Sequence, residues 1–152
     1  MENNPYQEAR DLETKIHNGA IHLPGVINSL SSDAAIRTYF GDKTLNGVDN
    51  YIQFRNYHIL TQDKWCEKGS GQQEISQFLM CTEKINNILT GSKPFLIWVC
   101  KTIPTRNSIL DLNRKNVKII ASDTSVNELV QCVIEHVKEI IAVQSSAMEI
   151  ED

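Results

Sequence analysis

The sequence predicts a single α/β domain, with a central mixed sheet of about four to five strands flanked by helices on both faces. The 152 residues suit one domain with one core. Strand-like runs alternate with amphipathic helical ones, which favours a layered α/β arrangement. The continuous apolar run Phe95–Cys100 is that of a strand buried on both faces, so it needs cover on each side. A hydrophobic fraction of 41% and a charged fraction of 22% are those of ordinary globular proteins.

From the N-terminus, Pro5 to His17 carries Tyr6, Ala9, Leu12 and Ile16 at helical spacing, with Pro5 in the first turn and Asn18-Gly19 as a stop signal. Val26 to Phe40 is apolar, and Ser31-Ser32-Asp33 within it suits the cap of a short helix through about Tyr39. Val48–Phe54 and Tyr57–Trp65 have strand composition and are joined by the tight Arg55-Asn56 connection, which predicts a hairpin. After Gly69-Ser70-Gly71, a helix is expected over Gln72–Leu89, with Ile75, Phe78, Leu79, Thr82, Ile85 and Leu89 on its buried stripe and Thr90-Gly91 ending it. A short helix over Ser108–Arg114 and a buried strand over Val117–Ala121 follow Phe95–Cys100. A last helix begins at Ser125, whose spacing to Glu128 is that of a capping box, and runs to about Val143. The domain is thus expected over residues 1–144, with 145–152 a polar, flexible tail. The strand–helix–strand portion should pair in parallel through a right-handed crossover.

Several functional classes find no support. No apolar run approaches the ~20 residues that span a bilayer, so no membrane partner is expected. The acidic, polar N-terminus is unlike a secretory signal, which gives an intracellular expectation, cytoplasmic or nuclear. Cys66, Cys81, Cys100 and Cys132 form no CxxC pair and are expected to be reduced, buried thiols. The four histidines show no HxH or HExxH spacing, and neither a phosphate-binding nor a dinucleotide-binding glycine motif appears. A net charge of -4 gives no global basic signature, so any nucleic acid would need a local basic surface. Arg37, Lys43, Arg55, Lys68, Lys101, Arg106, Arg114 and Lys115 are candidates for it.

Asp49 sits inside a strand otherwise made of aromatic and branched residues, where aspartate is disfavoured. Gln62 and Lys64 share a face of the next strand. Asp49 can offer a carboxylate, Gln62 an amide oxygen and Asp63 its main-chain carbonyl, an all-oxygen set suited to a hard divalent cation. Lys64 can then orient a water and stabilise charge on a phosphate. The bland readings are an aspartate satisfying main-chain amides at a strand start and a solvated lysine guarding a strand end.

Gly47-Val48-Asp49 followed by Ile59-Leu60-Thr61-Gln62-Asp63-Lys64-Trp65 resembles the paired motifs of the PD-(D/E)xK, restriction-endonuclease-like nucleases. The variant is that of the Mrr-like, Holliday-junction-resolvase-like branch, in which glutamine can precede the lysine. The resemblance implies a restriction-endonuclease-like fold and a metal-dependent DNA endonuclease or resolvase using Mg²⁺ or Mn²⁺. It further implies a first-helix glutamate in the metal site, Glu13 by preference with Glu8 as alternate, beside Asp49 and Gln62, with Lys64 catalytic. A polar residue early in the helix after the lysine strand matches Gln73, with Gln72 and Gln77 behind it. Lys68, Arg55 and Arg37 join Gln73 as nucleic-acid contacts, and double-stranded or branched DNA, a second copy of the chain or a larger nucleic-acid-processing complex would be the partners. A second reading keeps the fold without catalysis, as a module that binds nucleic acid or serves in an assembly.

Overall fold

The computed structural model describes residues 5–89 and 93–151. Over these the chain runs through helix α1 (Pro5–Ile21), strand β1 (Val26–Ser31), α2 (Asp33–Phe40), β2 (Asn50–Phe54), β3 (Tyr57–Lys64) and α3 (Gln72–Ile88). It continues through β4 (Phe95–Cys100), α4 (Arg106–Arg114), β5 (Lys118–Ala121) and α5 (Val126–Glu151). The five strands form one mixed sheet in the order β1-β2-β3-β4-β5. The first three pair as an antiparallel meander, and β4 and β5 add in parallel through the α3 and α4 crossovers.

Alternation along the strands sorts the core into two layers. Ile52, Phe54, Ile59, Ile97 and Val99 pack under α1 and α5 against Leu12, Ile16, Leu129, Val133 and Val137. Tyr51, Leu60, Trp98 and Cys100 face the other way, against Ile36 of α2, Ile75, Phe78 and Ile85 of α3 and Leu112 of α4. Phe78 meets Trp98 edge-on at 5.4 Å, both fully buried. The sheet is therefore covered on both faces, as its apolar β4 demands. No helix among the described residues is long and apolar enough to cross a membrane.

Four local expectations are corrected. Val26–Ser31, read as part of an apolar lead into a helix, is a strand. Of its residues only Ser29 is buried, and an irregularity interrupts its register between Val26 and Asn28. Pairing with β2, rather than its own pattern, makes it a strand. Asn18-Gly19 does not stop α1, which continues to Ile21. Gly19 instead lets α5 approach, since a Cβ there would lie 2.9 Å from Ile134 Cδ1. Of the four free cysteines, Cys81 and Cys100 are buried, and burial pushes each thiol up to about 11, whereas Cys66 and Cys132 are exposed. Helix α5 extends to Glu151, past the end near Val143 that its apolar stripe suggested. The Thr90-Gly91 stop signal lies outside the described residues.

Two loops that carry the site have tight glycines. Gly47 adopts φ +120°, and a Cβ there would sit 3.1 Å from the Gln77 carbonyl oxygen of α3. Gly69, between β3 and α3, has no room for a Cβ beside the Ile103 carbonyl oxygen, while Ser70 O accepts from Thr105 N at 3.1 Å. Both contacts at Gly69 are main chain, so neither side yields by a rotamer change. Gly69→Ala is expected to cost about 1–3 kcal/mol of stability, measured as a lower urea midpoint at unchanged slope. An unchanged midpoint would show that the two loops are not in this contact.

Candidate active site

The polar cluster lies where β2 begins and β3 ends. Asp49 extends β2 by one residue: its N–H donates to Thr61 O (2.7 Å) and its carbonyl accepts from Ser32 N (2.9 Å). The Asp49 carboxylate turns toward β3, where Oδ2 accepts from Asp63 N at 2.8 Å. The reading of Asp49 as a carboxylate satisfying main-chain amides is therefore realised, although one N–H leaves most of its acceptor capacity open.

Gln62 and Lys64 project from the α3 side of β3. With the Gln62 amide turned so that donor meets acceptor at both ends, Nε2 donates to the Gly47 carbonyl and to Asp49 Oδ2 (3.3 Å), and Oε1 accepts from Lys64 Nζ (3.3 Å). Gln62 is thus a bridge between Asp49 and Lys64. Its oxygen, expected to face a cation, is spent on the lysine. Lys64 also pairs with Glu74 in the first turn of α3 at 3.3 Å, the lysine side chain 27% exposed.

On the α1 side, alternate residues of the paired strands build a second polar group. Asn50 lies opposite Thr61, and Asp63 is two residues on. Asp63 accepts from Thr61 Oγ1 (2.8 Å) and Asn50 Nδ2 (2.7 Å), and Asn50 Nδ2 also reaches Glu13 O of α1 (3.2 Å). Asn50 Oδ1 is buried without a partner among the described residues.

The charges explain one another. Burial first, then the charges of Asp49 and Asp33, push Glu13 up to about 7, against a smaller opposing effect of the Ser32 N–H. Burial raises Asp49 to about 6; the Asp63 N–H and Lys64 pull it down, and Asp33 pushes it up. Asp63, fully enclosed, is held well above the usual carboxylate range by burial and by Asp49, in spite of Thr61 and Asn50. Acids whose ionisation is opposed by burial and by neighbouring charge mark a place where a cation would be stabilised.

The fit to a divalent metal follows from the donor set. Among the described residues no three Asp, Glu, His or Cys side chains converge closely enough to hold a metal ion by themselves. Glu13 and Asp49 supply two carboxylates in electrostatic contact, and the unsatisfied Asn50 Oδ1 is a further buried oxygen nearby. Two carboxylates with neutral oxygens and water suit Mg²⁺, which keeps several waters. The residues present fit the group.

The remaining candidates are distributed as follows. Glu8 accepts from the Trp65 indole at 2.7 Å, so Glu13 is the α1 acid that shares a field with Asp49. Trp65 is a core residue, with Lys101 Nζ 5.0 Å above its ring. Arg37 pairs with Asp33 (3.1 Å) and Asn46 (2.7 Å) at the rim. Gln73 is exposed in the first turn of α3 and Lys68 is exposed in the preceding loop. Arg55 is at the opposite end of the strands, in the β2–β3 turn. Sequence reasoning missed the Asp63 carboxylate and Glu74. Polar residues at 50, 61 and 63 on an otherwise apolar face were the available signal for the first.

Ser32 carries backbone strain beside the cluster, with φ 80° and ψ 143°, while its Oγ caps α2 through Ala35 N at 3.2 Å. A non-glycine residue held in such a region costs on the order of 1–3 kcal/mol. Ser32→Gly relieves that strain and loses only a few tenths of a kcal/mol of capping, so a net gain of about 1 kcal/mol is expected. Ser32→Ala keeps the strain, loses the cap and should lose about 1 kcal/mol. Paired urea titrations check the opposite signs.

Comparison with the profiles of known protein families, with curated proteins and with solved structures yields no match to this chain. The chemistry therefore rests on the residues themselves.

Proposed function

We propose that this chain is a metal-dependent DNA endonuclease or resolvase of the restriction-endonuclease-like kind. The observation that carries the reading is the bridge Asp49–Gln62–Lys64 across the start of β2 and the end of β3, with Glu13 of α1 raising the same field. A meander followed by a parallel strand, with the acid on the second strand and the lysine on the third, also agrees with the resemblance carried by Gly47-Val48-Asp49 and Gln62-Asp63-Lys64.

Glu13 and Asp49 would hold Mg²⁺ or Mn²⁺, which when bound supplies Lewis acidity at a phosphoryl oxygen and acidifies water. The chain's own contribution is Lys64. Gln62 and Glu74 hold its ammonium at the mouth of the site, where it can offset charge growing on a phosphate and orient the attacking water. Asp63, its carboxylate enclosed between Thr61 and Asn50, positions Asp49 through its main-chain N–H.

The test is incubation of supercoiled plasmid and of branched DNA with Mg²⁺ or Mn²⁺. Nicking or resolution that chelator abolishes supports the reading, and intact substrate with both metals sinks it. One observation favours a second reading, a non-catalytic nucleic-acid-binding or assembly module: Lys64 is shared between the Gln62 oxygen and Glu74. Binding of DNA without cleavage, insensitive to Asp49→Ala, would favour it. A homodimer or a larger complex as the working unit belongs to the same proposal and is checked by light scattering on a sizing column.

A further inference from the structure

The end of the sheet opposite the carboxylates has the reverse chemistry. There β4 and β5 begin, the β2–β3 hairpin turns, and a groove of about 1070 Å³ runs between α3, the start of β4 and the α4–β5 loop. Its rim carries Lys93, Arg114, Lys115 and Lys118 against one carboxylate, Glu83. Arg114 shares its charge with Asp111 at 3.4 Å; the three lysines are solvent-exposed. In a chain of net charge -4, four cations face one carboxylate around this opening, and Lys118 also borders the adjoining groove that carries Glu128, Glu135 and Glu139.

The floor is apolar. Pro94, Phe95 and Leu96 line it, and Met80, 60% exposed, overhangs it. Phe95 ends a row of rings: Tyr57 lies 6.3 Å from it, and Phe54 stacks on Tyr57 at 5.2 Å. Phe54 is buried in the core and Tyr57 and Phe95 are half-buried against it, so Phe95 is the ring of that row that reaches the groove.

Cations beside an exposed methionine and the half-buried edge of a ring suit a strand whose phosphates and base faces are both available. A duplex keeps its base faces stacked inside and would leave the floor unused. We propose that this end of the sheet binds single-stranded nucleic acid, with phosphates on Lys93, Arg114, Lys115 and Lys118 and a base against Phe95. The register of β3 with β4 puts Phe95 five positions from Cys100, which lies opposite Lys64. That is roughly 17 Å at a strand's rise per residue. The groove is therefore separate from the carboxylate cluster, and its binding does not require that cluster to be active.

The experiment is a fluorescence-anisotropy titration of a labelled oligothymidylate of about 15 nucleotides with the full chain, in chelator to prevent cleavage, at low and moderate salt. Saturable binding that weakens with salt is expected. The triple substitution Lys93→Ala, Lys115→Ala and Lys118→Ala changes only exposed side chains. It should weaken binding at least about tenfold and lower the log–log salt slope by about 2, at ~0.7 per phosphate contact. The proposal is overturned if the wild-type chain does not bind or if the triple variant keeps its affinity and slope. It also fails if a blunt duplex of equal length competes as well as the single strand. Displacement of the strand by thymidine monophosphate at equal nucleotide concentration would overturn it in favour of a mononucleotide pocket.

Discussion

Lys64→Ala is expected to lower metal-dependent DNA cleavage by on the order of 10²–10⁴-fold, the range for removing a group that stabilises charge or moves a proton in the transition state. Substrate binding should change by much less. Lys64 is only partly exposed and is held from two sides, by the Gln62 oxygen and by Glu74, so its ammonium has a defined place before substrate arrives. A preorganised charge acts mainly on the transition state, and the loss should appear in turnover rather than in the Michaelis constant. Asp49→Asn keeps the shape and an acceptor for the Asp63 N–H but removes a carboxylate, so cleavage should fall at least as far and the metal requirement should rise. Glu74→Gln separates positioning from chemistry. It leaves Lys64 and its Gln62 contact in place, so a loss of roughly tenfold or less is expected, with the rate-versus-pH profile shifted. Equal activity of wild type, Lys64→Ala and Asp49→Asn in parallel metal titrations would remove the catalytic reading while leaving the fold untouched.

These assignments also mark what a linear sequence can reveal. Asp49 stood out because an aspartate is disfavoured in a strand of aromatic and branched residues, and Lys64 because it shares a face of the next strand with Gln62. Glu74 did not, because only the α3 crossover brings its carboxylate to 3.3 Å from Lys64. The Asp63 carboxylate was hidden for a related reason. Its partners Asn50 and Thr61 look unremarkable singly, and only the β2–β3 register, with Asn50 opposite Thr61, gathers them on one face. The same contrast governs the fold. Phe95–Cys100 and the stripe of α3 carry their burial in their composition, so their positions could be read directly. Val26–Ser31 carries no such signal, since its strand character comes from the β2 edge beside it. At Gly19 the local helix-stop signal lost to tertiary packing against Ile134.

The cluster should also make the metal-free protein less stable as pH rises through neutrality. In the unfolded chain Glu13 and Asp49 titrate near 4.5 and 3.8; folded, they titrate near 7 and 6. Below about pH 4 the cluster is protonated in both states. Between about 4 and 7 the folded chain holds the extra protons, so stability falls with rising pH across that window and the stabilisation is gone above it. Asp63 is shifted in the same direction. Asp42 opposes, because Thr44 holds its carboxyl below the usual range, so its contribution is lost as pH falls toward the acid end. The groups facing the cluster are Glu13 from α1, Asp33 from the α2 N-terminus, Asp63 and Lys64 from β3; of these the Asp63 main-chain N–H and Lys64 favour ionised Asp49. At 1.36 kcal/mol per unit, with the Glu13 share reduced for solvent screening, about 2–4 kcal/mol should be lost between pH 4.5 and 7.5. Urea titrations in chelator measure the loss, and saturating Mg²⁺ at pH 7.5 should restore about 2–3 kcal/mol. Asp49→Asn provides the internal control: it should flatten the pH dependence, raise metal-free stability at pH 7.5 and abolish the Mg²⁺ effect together. A wild-type stability that is level across the window would mean that these carboxylates do not share one desolvated field. A sloping profile that Mg²⁺ leaves unchanged would keep the shared field and remove the cation from it.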